Sequence, residues 1–152
     1  MPRHAPGQSS LFDWTPPPAT TAFSTERVRA ASIAGRISRA VSAALYDNQQ
    51  QRAEIAQRMA DYLGEPFSKA MLDAYASQAR EDHPITVPSF MALLHVIRDR
   101  RLLELIAEEF GWAVVERKHL PLIELAAVQE RQDELRRHAD ALRRQARTGG
   151  AL

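Results

Sequence analysis

Apolar residues recur with helical spacing along most of the chain. Ile33, Ile37, Val41 and Leu45 fall every four residues, one stripe of a helix. With Ser24 as N-cap and Glu26 in the first turn, where the helix dipole favours an acid, this predicts a helix over about 25–46. Asp47-Asn48 breaks it. A second helix is expected over about 50–63, with Ile55, Met59, Tyr62 and Leu63 on its buried face. Gly64 is a stop signal, and Pro66 bars direct continuation. Ser68 then caps a third helix, to about 79, with Met71, Leu72 and Tyr75 inward, and His83-Pro84 closes that unit. Two more helices are expected: 87–96, with Phe90, Leu93 and Leu94 apolar, and 99–110, with Leu102, Leu103, Ile106 and Phe110 as core face. Gly111 ends the last of these.

Three stretches depart from this rhythm. Residues 112–116, Trp-Ala-Val-Val-Glu, are aromatic and β-branched and predict one short strand. A lone strand needs a partner, and the same strand of a second subunit can supply it. Residues 121–147 predict a long C-terminal helix. Its apolar positions Leu125, Val128, Leu135, Ala139 and Leu142 form a narrow seam flanked by charge, as in a coiled coil, although Gln132 interrupts it. Residues 1–23 hold five of the nine prolines and predict a disordered tail. The expected fold is therefore all-α, with a helix-turn-helix core, one short strand, a long C-terminal helix and a disordered N-terminal tail. Its expected divisions are a tail at 1–23, a helical domain at 24–118, the C-terminal helix at 119–147 and a disordered end at 148–152.

Composition narrows the chemistry. The 152 residues suffice for one domain with a real core. With no Cys, disulfides, thiolate metal sites and cysteine nucleophiles are excluded. No secretory signal or membrane span is visible, which predicts a soluble, cytoplasmic protein that does not engage a membrane. Twenty basic against 19 acidic residues leave no bulk charge to hold nucleic acid, so any such contact must come from local placement. Of the five His, none has a second His or an acid at a metal-ligand spacing. His95 reads as a helix-surface or satisfied core residue, and Glu108-Glu109 as a solvated helix-end pair. There is no phosphate-binding glycine loop and no nucleophile elbow. No enzyme activity, metal or cofactor is expected.

The pattern richest in implication is residues 52–79, a helix, a turn and a capped helix. This is the order of a helix-turn-helix, whose second helix enters the DNA major groove. With Met71, Leu72 and Tyr75 inward, the outward set is Ser68, Lys69, Ala70, Asp73 and Ser77. Lys69 can meet phosphate or guanine, Ser68 phosphate, and Asp73 can accept from cytosine N4. An ordinary helical hairpin fits the same pattern. Arg29 and Arg36, seven apart, share a helix face and offer phosphate contacts beside the groove. A solvated face is the plainer alternative for them. Arg136-Arg137 and Arg143-Arg144, interleaved with acids, read as coiled-coil flanking charges.

The stretch LGEPFSKAMLDAYASQAREDHPI resembles small, mostly uncharacterised helix-turn-helix (lambda-repressor-like) proteins of transposable Mu-like phages and prophages. Ile55-Ala56, Leu63-Gly64, Ser68-Lys69 and Leu72-Asp73-Ala74-Tyr75 carry the resemblance, with Tyr75 where Trp is more usual. The layout after it, a Gly-ended helix, a short hydrophobic strand and a charged C-terminal helix, is similar too. The resemblance implies a phage-type regulator that binds double-stranded DNA, and the seam at 125–142 with the strand at 112–116 implies a homodimer.

One feature of the tail remains. Gln8-Ser9-Ser10-Leu11-Phe12 resembles the peptide by which bacterial replication and repair proteins dock on the sliding clamp. Leu11, Phe12 and Trp14 are then anchors for a host protein, with Gln8 bonding at the rim of its pocket, and the chain is then a non-enzymatic interaction protein of phage replication or transposition. The competing expectation is that these side chains cover an apolar patch of the chain's own domain.

Overall fold

The computed structural model describes residues 20–80 and 82–149. It comprises seven α-helices among these: α1 (Thr25–Val28), α2 (Ile33–Asp47), α3 (Arg52–Leu63), α4 (Lys69–Tyr75), α5 (Val87–Ile97), α6 (Arg101–Glu108) and α7 (Leu120–Gly149). Short 3-10 turns lie at Gln78–Arg80 and Arg117–His119. The chain divides into two compact units at Val114/Val115. The larger unit holds α1 to α6.

The expected 25–46 helix is two helices. Ser32 Oγ accepts from the Gly35 amide at 3.0 Å and starts α2 afresh, while Arg29 is extended. The four-residue apolar stripe begins only at Ile33, so nothing in it makes 25–28 one helix with α2. Instead α1 packs back against α2 and joins the common core through Val28. Phe23 is also core, only 6 % exposed, with the Arg101 guanidinium 4.4 Å above its ring. Residues 20–23 therefore belong to the folded unit rather than to a tail, and Thr20 donates to the Val114 carbonyl at 3.0 Å. At the other end, α7 continues to Gly149, past the expected disordered start at 148.

The core lies between α2, α3, α5 and α6, with Val41, Ile55, Met59, Leu72, Leu93 and Leu102 fully enclosed. The most extensive contact is α3 against α5, and α2 packs on α6. On α6 the buried face is Leu102 and Leu105, with Glu104, rather than Leu103, Ile106 and Phe110. Residues 102 and 105 are three apart and share a face, which leaves 103 and 106 at its flank. Phe110 lies beyond the helix end, 62 % exposed, with its ring 5.1 Å from that of Trp112.

No strand forms at 112–116, nor anywhere else among the described residues. The segment is extended, but its polar groups are satisfied one at a time. The Trp112 amide donates to the Ala107 carbonyl at 3.0 Å, and the Val114 amide to the buried Glu104 carboxylate at 2.8 Å. These bonds occupy the edge that an intersubunit ladder would need.

One ionic network ties α1, α2 and α6 together. Asp47 accepts both guanidinium nitrogens of Arg27 at 2.9 Å and one of Arg101 at 2.9 Å, and Arg101 also binds Asp99 at 2.6 Å. The Arg27 hydrogen bonds, with help from Arg101, lower the Asp47 carboxyl to about 2. A depressed carboxylate pKa stabilises the fold above its unfolded value, and that share is lost as pH falls through the folded value. Asp47→Asn is therefore expected to cost roughly 1 kcal/mol near neutrality, the scale of a partly exposed pair. In urea titrations across pH, the gap between variant and wild type should close between about pH 4 and 2. A gap constant with pH would count against this assignment.

In the second unit, α7 packs on the short turn at Arg117–His119 and has no buried residue. Three of its arginines are paired along the helix: Arg131 with Glu134 at 2.8 Å, Arg136 with Asp133 at 3.6 Å and Arg143 with Asp140 at 2.9 Å. No helix among the described residues is long and apolar enough to cross a membrane.

Candidate nucleic-acid interface

The α3–α4 hairpin is built by local rules. Gly64 adopts the left-handed conformation (φ 69°), and its amide donates to the Ala60 carbonyl at 2.9 Å, closing α3. A residue with a Cβ is strained there, which is why glycine stands at this turn. Residues 64–68 then cross to α4. Phe67 buries its ring near Tyr75, centroids 6.0 Å apart, and Ser68 Oγ accepts from the Met71 amide at 3.2 Å, capping α4. Leu72 pins α4 to the core with no exposed surface. Tyr75 holds the far end: its carbonyl accepts from Ser38 Oγ at 2.8 Å, and its hydroxyl lies 3.5 Å from Ser89 Oγ.

Ser68, Lys69 and Ala70 stand exposed on the first turn of α4, as expected. Met71 does not point inward. It is 43 % exposed beside them, because a two-turn helix needs only Leu72 and Tyr75 to bury its core stripe. Asp73 is half-buried and engaged twice, by Lys69 Nζ at 2.6 Å and by Arg52 Nη1 at 2.7 Å. The Lys69 and then the Arg52 hydrogen bonds lower its carboxyl below the usual range. A carboxylate held this way is committed within the chain and is a poor acceptor for cytosine. Ser77 falls past the end of α4, at the opposite end from Ser68.

Arg36 does not join this group. It pairs with Glu109 and lines an apolar groove of about 390 Å³ with Ile33, Ile37, Leu105, Ile106 and Phe110. The reason is geometric. Ser38 of the same helix faces α4, and two residues turn a helix through about 200°. Glu108 and Glu109 stand exposed at the end of α6, as expected, with Glu109 also in this ion pair. His95 is a surface residue, its ring stacked on Tyr62 at 4.4 Å, which explains why Tyr62 is half-exposed.

Sequence reasoning missed Arg52. It opens α3 and reaches across the turn to Asp73, and no spacing rule along one helix signals such a contact. An outward acid on α4 with cations on both sides was the available hint. The clamp-like residues Gln8, Leu11, Phe12 and Trp14 lie outside the described residues. Among the described residues, no three His, Cys, Asp or Glu side chains are grouped to hold a metal.

No family model, curated protein or solved structure matches this chain.

Proposed function

We propose that the chain is a phage- or prophage-type DNA-binding protein, a transcriptional regulator that places α4 in the major groove of double-stranded DNA. It acts without a cofactor, in the cytoplasm, as a homodimer. The observation that carries the reading is the α3–α4 hairpin, in which Gly64 and Ser68 set the turn and Leu72 fixes α4, leaving Ser68, Lys69, Ala70 and Met71 on one exposed turn. The glycine that follows α6 and the charged α7 support the reading, although residues 112–116 form no strand.

Phosphate contacts give affinity and salt dependence, and base contacts give specificity. Lys69 serves the first role, its ammonium held by Asp73, which Arg52 holds in turn. Lys69→Ala is therefore expected to weaken binding evenly across duplexes and to reduce the slope of log affinity against log salt by about one. Fluorescence anisotropy over a salt series measures both quantities. An unchanged slope and affinity would remove Lys69, and the α4 face with it, from the interface.

The homodimer reading rests on α7. Its seam residues Leu125, Val128, Leu135 and Leu142 are each about half exposed on a helix with no buried residue. A second copy of the same seam is the occupant proposed for it.

A further inference from the structure

The polar groups on the exposed turn of α4 are largely spent on the chain itself. Ser68 Oγ caps the helix, and Asp73 is held by Lys69 and Arg52 at 2.6 and 2.7 Å. What remains outward between them is apolar: exposed Ala70 and Met71, beside Ala74. These three, with Tyr75 and His83, line a shallow depression of about 290 Å³ on the outer side of α4. Two alanines one turn apart let a base edge approach the helix closely, and the unbranched Met71 side chain adapts to what enters.

In the major groove only one base offers an apolar group, the 5-methyl of thymine, and alanine-type side chains are its ordinary partners. Adenine is read by asparagine or glutamine and guanine by arginine or lysine; the turn has no arginine, asparagine or glutamine, and its one lysine, Lys69, is held by Asp73 at 2.6 Å. We infer that Ala70, Met71 and Ala74 form a thymine-reading surface, so that specificity at this turn is carried by methyl contact rather than by a charged side chain. The inference rests on the proposed DNA binding and names what that face selects.

The test uses the full chain and a duplex recovered from a random pool. Thymines are replaced one at a time by deoxyuridine, which removes the methyl and leaves base pairing unchanged. At one or two positions per half-site the replacement should weaken binding about fourfold, the worth of one buried methyl group. In Met71→Ala the same replacements should cost less than about twofold, because the methyl has lost its partner. Met71 is exposed, so this variant keeps its fold. If every deoxyuridine duplex binds like the parent, or if the penalty persists undiminished in Met71→Ala, the thymine-reading surface is wrong while DNA binding stands. If no duplex is recovered at all, the parent reading falls and this one with it.

Discussion

Leu72→Ala is expected to destabilise the unit spanning α1 to α6 by about 2–5 kcal/mol, the range for truncating an enclosed leucine. Leu72 has no exposed surface and is the only fully buried side chain of the seven-residue α4. A helix this short has little stability of its own and stays in place through packing. The loss should therefore appear twice, once in a urea melt of the whole unit and once as faster hydrogen exchange over 69–75. The cap at Ser68 and the bond from Ser38 to the Tyr75 carbonyl hold only the helix ends. A variant within about 0.5 kcal/mol of wild type would show that α4 is not pinned by Leu72, since that is the scale of an ordinary surface change.

Leu135→Asp is expected to convert a dimer into a monomer. The apolar positions 125, 128, 135, 139 and 142 follow the alternating three and four spacing of a two-helix seam once Gln132 is included. Leu135 sits near its middle. Helix α7, about 45 Å long, buries none of its residues, and a second seam supplies burial for its apolar positions. Arg131 and Arg136 flank the seam, and both are already paired with Glu134 and Asp133. Like charges brought together across the seam are thereby partly offset. An aspartate at 135 would bury a charge against its own copy, which no exposed arginine can relieve. Light scattering should give twice the chain mass of 17.1 kDa for the wild type and that single mass for the variant. A wild-type monomer at every concentration, or a variant that stays dimeric, would remove α7 as the contact.

The helices themselves were legible because each carries a local signal. The Gly64 stop and the Ser68 cap act within one turn of chain, and the structure uses both, whereas Ser32 and Thr86 cap helices without being expected to. What was not legible depends on contacts far apart in sequence. Nothing along 24–46 announces that α1 is separate from an α2 beginning at Ile33, because Phe23 and Val28 reach the common core and Arg27 reaches Asp47 through contacts far apart in sequence. The same holds for 112–116. Its composition favours a strand, but the buried Glu104 and the distant Thr20 take its backbone groups. At the candidate interface the outward face was legible at Ser68, Lys69 and Ala70. It was misjudged at Met71, where hydrophobicity alone argued for burial, and at Arg36, whose acid partner lies on α6's far end.

These differences bear on function. With Asp73 committed to Lys69 and Arg52, α4 has a charged edge and an exposed apolar turn, which the proposed DNA-binding reading assigns to phosphate and base contact. A regulator of this design draws affinity from few cations, so its binding should be modest at physiological salt and should depend on the dimer to reach two half-sites.

The central claim is that the chain recognises duplex DNA, and selection from a random duplex pool by the full-length protein at low salt tests it most directly. The account predicts enrichment of one sequence motif, thymine-containing and repeated with two-fold symmetry. A pool that stays random after repeated rounds, with no duplex retained at low salt, would contradict it.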